Sequence, residues 1–243
     1  MEDDKQTRAG EKKMKICGLQ KTTLLDYPEH IACTVFLGGC NLRCPFCHNS
    51  DLVVGKVEAI YSKEDILKYL RKRVGVLDGV CVTGGEPLIY EDTLEFLGEL
   101  KSMGFLVKLD TNGFFPDRLE KAICSGNVDY VAMDIKSSID GYAAATGVAS
   151  PDIDAVKRSV KLLEESGLDH EFRTTVVREL HDVDEIKQIG VWLNGTKKYF
   201  LQGFIDSGKV LGGTFSAHSK EKMTELLEVA REYIPNTQLR GID

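Results

Sequence analysis

Along the chain, short continuous apolar runs alternate with longer stretches in which apolar residues recur every three or four positions. The first pattern suits a strand buried on both faces, the second a helix with one buried side. IACTVFLGG (31–39) reads as a first strand, and SKEDILKYLRKRV (62–74) as an amphipathic helix with Ser62 and Asp65 spaced as a capping box. GVCVTGG (79–85) is the next strand, followed by an amphipathic run from Glu91 to Met103. FLVKLDTNG (105–113) gives a third strand, PDRLEKAIC (116–124) a helix opened by Pro116, and VDYVAMDIK (128–136) a fourth strand. SPDIDAVKRSVKLLEESG (150–167) predicts a helix capped by Ser150, with Pro151 at its first position and Gly167 at its end. Strand, helix, strand and helix follow at HEFRTTVV (170–177), HDVDEIKQIGVWL (181–193), KKYFLQGFI (197–205) and SKEKMTELLEVAREY (219–233).

Six strand-then-helix units imply an α/β fold with a parallel sheet, because parallel strands need a crossover and each helix supplies one. A closed eight-unit barrel averages more residues than the 243 present. The expectation is therefore a partial (β/α)6 TIM-like barrel, open on one side, with an open doubly wound sheet as the competitor. In either fold the chemistry gathers at the carboxyl ends of the strands. Five consecutive strands bring polar residues there: Gly38–Cys47, Thr83–Pro87, Asp110–Gly113, Asp134 with Lys136, and Arg173.

An apolar fraction of 42% and a charged fraction of 28% are ordinary for a globular protein, and neither alters this picture. The formal charge of −7 disfavours a nucleic-acid partner, whose electrostatic footprint is basic. No apolar run approaches the length of a bilayer span, and the polar start MEDDKQTRAGEKK (1–13) lacks the apolar stretch of a secretory signal. A disordered tail over 1–13, one domain over 14–243 and a cytoplasmic location are expected. Of seven cysteines, 17, 33, 81 and 124 lie scattered in apolar stretches and read as core packing.

The other three stand in GGCNLRCPFCHN (38–49), where Cys40, Cys44 and Cys47 form C-x3-C-x2-C. In a reducing compartment, clustered thiols read as metal ligands before they read as disulfides. Structural zinc wants a second pair of ligands at a distance, and none is present; His48, adjacent to Cys47, is poorly placed to share one ion with it. Iron–sulfur clusters of the four-iron type usually take four cysteines. Three would leave one iron open to another ligand, much as catalytic zinc keeps a vacant position.

With these motifs the sequence resembles the radical S-adenosylmethionine (radical SAM) enzymes, and within them the glycyl-radical-enzyme activating proteins. Its text is most similar to the activating proteins of anaerobic ribonucleoside-triphosphate reductase. The matching segments are GLQKTTLLDYP (18–28), VFLGGCNLRCPFCHNSDLV (35–53), TGGEPL (83–88), DTNG (110–113) and DIK (134–136), in the family's order. The resemblance implies an oxidoreductase whose 4Fe–4S cluster, held by Cys40, Cys44 and Cys47, cleaves S-adenosylmethionine reductively and delivers a radical to a backbone glycine of a partner enzyme. A flavodoxin or ferredoxin-like protein would supply the electron.

The resemblance also assigns other positions. Phe46 would lie against the adenine, and Gly84, Gly85, Glu86 and Pro87 would receive the methionine amino group. Asp110, Thr111 and Asp134, with a main-chain carbonyl at Ala132, resemble a monovalent-cation site near the methionine carboxylate. Asn112 continues that loop, and Lys136 and Arg173 resemble contacts to the ribose or carboxylate. Asp26, in LDYPE, aligns with a loop that faces the glycine-bearing peptide. The sequence departs from pyruvate formate-lyase activating enzyme at Ile205, where a histidine contact is replaced. The competing functions are a radical enzyme of the same fold acting on a small molecule, peptide or RNA, and a noncatalytic zinc-binding module.

Overall fold

A computed structural model describes residues 13–205, 208 and 210–242. The tail expected over 1–13 lies, apart from Lys13, outside the described residues. The strands are β1 (Ile16–Thr23), β2 (Ala32–Leu37), β3 (Gly79–Gly84), β4 (Leu106–Thr111), β5 (Tyr130–Asp134), β6 (Asp169–Val176), β7 (Tyr199–Gly203) and β8 (Gln238–Arg240). The helices are α1 (Ser50–Val53), α2 (Lys63–Arg71), α3 (Thr93–Ser102), α4 (Pro116–Cys124), α5 (Tyr142–Thr146), α6 (Ile153–Ser166), α7 (Val183–Trp192) and α8 (Lys220–Arg231), with a 3-10 turn at Pro87–Ile89.

The six expected strand–helix units are all present, and their strands β2 to β7 pair in parallel in chain order. A doubly wound sheet would reverse its strand order partway, and this one never does. Each edge carries one strand that the sequence pattern did not reveal. β1 pairs antiparallel with β2, and β8 pairs in parallel with β7. β1 escaped notice because Gln20, Lys21 and Thr22 face solvent, so the segment has no sustained apolar alternation. β8 is only three residues long. β1 and β8 end the strand order without pairing to each other, so the barrel is open between them.

Alternation along each strand sorts side chains between two environments. Cys33, Val35 and Leu37 of β2, with Val80 and Val82 of β3, join the core under the helices. Thr34, Cys81, Lys108 and Glu171, on the opposite face, are also buried, so the concave side carries polar groups out of water. Its amino-terminal end is plugged by Tyr27 from the β1–β2 loop, packed with Ala32, Tyr130 and Ala132. No helix among the described residues is long and apolar enough to cross a membrane.

Local signals decide the helix ends. Ser62 and Asp65 form the expected capping box on α2. The helix expected to open at Pro151 instead begins at Ile153. Its cap is Asp152, whose carboxylate accepts from the Ala155 amide at 3.1 Å, leaving Ser150 and Pro151 in the preceding turn. Cys17, Cys33 and Cys81 are buried as expected, whereas Cys124 is exposed. It follows the buried Ala122 by two residues, and roughly 200° of helical rotation carries it to the outer face.

The carboxyl end of β3 is tied to that of β4 by Glu86, which is fully buried. Oε1 accepts from the Leu88 amide at 3.0 Å and the Thr111 hydroxyl at 2.9 Å, and Oε2 accepts from the Asn112 amide at 2.6 Å. Burial pushes its pKa up to about 7, and the three donors offset burial only in part. The folded chain therefore retains a proton that the unfolded chain releases near pH 4.5, and stability falls as pH rises through that window. Chemical denaturation between pH 5 and 8 is expected to show a loss of about 3 kcal/mol across the window, absent in Glu86→Gln. Parallel profiles for the two proteins would refute this role.

Candidate active site

The cysteine loop leaves β2 and lies directly against the turn that follows β3. The Gly85 amide donates to Leu37 O at 2.8 Å and the Glu86 amide to Gly39 O at 2.9 Å. No side chain fits between them: a Cβ on Gly85 would lie 1.9 Å from Gly39 O, and Gly84, at φ +126°, has Leu37 backbone 2.2 Å from its Cβ position. The paired glycines, expected to admit a ligand, are thus required first by the approach of two backbones. Asn49 Nδ2 adds a bond to Gly84 O at 3.1 Å.

Past this contact the loop curls over a cavity of about 250 Å³, and Cys40, Cys44 and Cys47 all line it. The Leu42 amide points at Cys40 Sγ at 3.4 Å, and Asn112 Nδ2 reaches the same sulfur at 3.7 Å and Asn41 Oδ1 at 2.8 Å. The Arg43 amide is held by Thr146 O at 2.9 Å, fastening the loop to α5. Burial raises the pKa of all three thiols, that of Cys40 to about 12, while the Lys136 charge opposes the rise at Cys44 and Cys47. Metal binding needs thiolates, so loading this site releases protons against that bias.

The donor set separates the metal alternatives. Among the described residues, no three His, Cys, Asp or Glu side chains are gathered to hold a single ion. A cluster binds each thiolate at a different iron, so its ligands surround a volume without converging on one point. Three thiols around one cavity, with no fourth cysteine on it among the described residues, fit a four-iron cluster that takes one thiolate per iron and keeps one iron open. Phe46 lines the cavity and is anchored from behind by Ala145, Val177 and Phe204. His181 stands edge-on to it at 6.1 Å and Phe215 at 5.9 Å.

The other strands supply charge. Arg173 on β6 reaches Asp134 Oδ1 at 2.8 Å through Nη2 and Asp110 Oδ2 at 3.3 Å through Nη1. Lys136 Nζ lies 3.0 Å from Asp134 Oδ2, Lys108 Nζ contacts Asp110 Oδ1, and the Thr83 hydroxyl donates to Asp110 Oδ2 at 3.1 Å. Burial opposes ionisation of both carboxyls, but it is outweighed by Arg173 and Lys108 together at Asp110 and by Arg173 and Lys136 together at Asp134. Both stay below their usual range.

Gly84, Gly85, Asp110, Thr111, Asn112, Asp134, Lys136 and Arg173 therefore meet the cysteines around one cavity. Glu86 and Pro87 stand behind its wall, and both oxygens of the Glu86 carboxylate are taken up by the bonds that fix Thr111 and Asn112. Asp26 lies at the other end of the barrel, where the Thr34 hydroxyl donates to it at 2.5 Å. Ile205 is exposed, and the β7 residue on the cavity is Gln202. Sequence reasoning missed Lys108; its signal was a lone lysine inside the apolar run of β4, two residues from Asp110 and therefore on the same face.

Comparison with known proteins agrees with this geometry. Residues 34–192 match the family model described as "Radical SAM superfamily". The chain is 29% identical to the "Putative glycyl-radical enzyme activating enzyme" of Methanocaldococcus jannaschii, over 95% of this chain and 98% of that protein. It is 31% identical to the pyruvate formate-lyase-activating enzyme of Clostridium pasteurianum, over 70% and 72% of the two chains. Among solved structures, SuiB of Streptococcus suis bound to S-adenosylmethionine superposes with a TM-score of 0.68 at 16% identity. The match covers 84% of this chain and spans about half, 48%, of SuiB. QueE from Escherichia coli superposes with a TM-score of 0.56 at 17% identity, covering 94% of each chain. By the family model and by the architecture these residues share, the chain belongs to the radical SAM superfamily.

Proposed function

We propose that this protein is an activating enzyme that uses S-adenosylmethionine to place a glycyl radical on a partner enzyme, with anaerobic ribonucleotide reductase as the favoured partner. The observation that carries the reading is the trio of thiols, Cys40, Cys44 and Cys47, around a cavity that Lys136 and Arg173 also line with their acid partners Asp110 and Asp134. The names of the two relatives above support the partner class, and the first of them aligns over nearly its whole length.

When bound through those thiolates, a 4Fe–4S cluster with one iron free of protein ligands supplies the coordination site and the electron for cleaving the sulfonium. The chain's own residues do the positioning. Lys136 and Arg173 present positive charge where the methionine carboxylate would lie. Phe46 offers a ring face held from behind by its apolar cluster. The close-packed glycine turn offers backbone without side chains to the amino end. Glu86 acts from behind, holding Thr111 and Asn112 in register. Asp26, at the open barrel's far end, would accept backbone N–H groups from a target peptide, an assignment that rests on the resemblance of its loop. A flavodoxin or ferredoxin-like donor and a cytoplasmic setting complete the reading.

Replacing any one of Cys40, Cys44 or Cys47 by Ala is expected to abolish both the reconstituted cluster's absorbance and reductive cleavage. Anaerobic material should contain about four iron and about four sulfides per chain; a single zinc would defeat the proposal. Asp26→Ala should lower partner activation at least tenfold while sparing uncoupled cleavage, and equal loss of both would refute its assignment. Incubation with cofactor, reductant and candidate partners, followed by electron paramagnetic resonance, should produce a glycyl doublet on the reductase. Cofactor cleavage without a doublet on any candidate would favour a small-molecule substrate.

A further inference from the structure

The monovalent cation implied by the resemblance does not fit the residues present. Of the three side chains it would use, Thr111 directs its hydroxyl to Glu86 Oε1 at 2.9 Å and accepts from the Gly113 amide at 3.2 Å. The other two already face cations. Asp134 meets Lys136 and Arg173, and Asp110 meets Arg173 and Lys108. With Glu171, 4.0 Å from Arg173, and its partner Arg240 included, three carboxylates against four side-chain cations leave a surplus of one positive charge, which repels a further cation.

Sheet register explains how this set assembles. Asp110 on β4 pairs with Ala132 on β5, and Asp134 pairs with Arg173 on β6. Ala132 is too small to block the gap between the two carboxylates, and the guanidinium reaches both of them there. Lys108 precedes Asp110 by two residues on the same strand face and is only 2% exposed. Its ammonium touches Asp110 Oδ1 and lies 3.8 Å from Cys81 Sγ. Asp110 is its ion-pair partner, so an alkali ion that displaced it would strand a buried charge.

We infer that Lys108 is the resident counter-cation of this site, that it replaces an alkali metal ion, and that the surplus positive charge serves the carboxylate of S-adenosylmethionine. Lys108 is a positioning residue: it shares Asp110 with Arg173, so that the network keeps a net positive charge at Arg173 and Lys136 for the ligand. The inference rests on S-adenosylmethionine being the cofactor and is independent of the partner enzyme.

Calorimetric titration of S-adenosylmethionine into cluster-loaded protein tests it, in potassium, sodium and choline chloride at equal ionic strength. The wild type should bind with the same Kd, within about twofold, in all three salts. Lys108→Met, its fold checked by thermal melting, should bind at least tenfold more weakly in choline and recover in potassium. A wild-type Kd at least tenfold weaker in choline than in potassium would overturn the inference while leaving the cofactor reading intact, and that comparison needs no variant. Salt-independent, wild-type-like binding by Lys108→Met would also overturn it. An absence of binding in every salt would overturn both the inference and the cofactor reading.

Discussion

Charge buried inside an open barrel is the constraint around which this structure is arranged. A carboxylate or ammonium withdrawn from water costs several kcal/mol unless it is paired and its hydrogen-bonding capacity is met. The concave face holds Lys108, Asp110, Asp134, Lys136, Glu171, Arg173 and Arg240, and each has an opposite charge within 4.0 Å. Glu171 shows how complete the pairing is. Arg240 grips both its oxygens at 2.7 and 3.1 Å, and the Tyr130 hydroxyl donates to it at 2.9 Å. The same contacts fasten the short β8, which has few residues of its own with which to hold the edge.

The cysteine loop inherits its order from this frame. Its backbone is pressed onto the β3 turn at Gly39 and Gly85, and that turn is joined to β4 through Glu86. Asn112, at the end of β4, then returns to the loop through Asn41 and Cys40 Sγ. The result is a closed circuit running from the cysteine loop through β3 and β4 and back, in which a displacement at one point is opposed at the others. Such support matters for thiols that burial holds in the protonated state before loading, because it places them before any metal does.

Much of this was legible in the sequence, and the limits follow from physics. The parallel strands stood out because they are buried on both faces and read as unbroken apolar runs. β1 was invisible because it is an edge strand whose pairing rests on backbone bonds that any residue can make. The three cysteines announced themselves by spacing, and Asp110, Asp134, Lys136 and Arg173 by standing at strand ends. What spacing could not convey was who pairs with whom. Glu86 looked like a ligand-facing acid, yet its neighbours across β3 and β4 are amides that need an acceptor. Lys108 shares a strand face with Asp110 by spacing alone, but only the register with Cys81 and Tyr130 shows which side chains it lies among. Long-range pairing decides both cases, and a one-dimensional pattern does not contain it.

The carboxylates of the concave face differ in the kind of partner each has. Asp110, Asp134 and Glu171 are bound by guanidinium or ammonium groups, which hold them as fixed charges and leave little acceptor capacity for a ligand. Asp26 instead meets the Thr34 hydroxyl, while the Thr23 hydroxyl accepts from its backbone amide at 3.2 Å. An ionised carboxylate offers about four acceptor sites, and one hydroxyl uses one of them. The single hydroxyl beside Asp26 thus leaves it acceptor capacity that the cation-paired acids lack. The paired carboxylates near the cysteines, by contrast, are held by Arg173, Lys108 and Lys136. The concave face thus holds acids fixed by cations alongside Asp26, which is held by a hydroxyl, and the difference in acceptor capacity comes from the choice of hydroxyl or cation beside each acid.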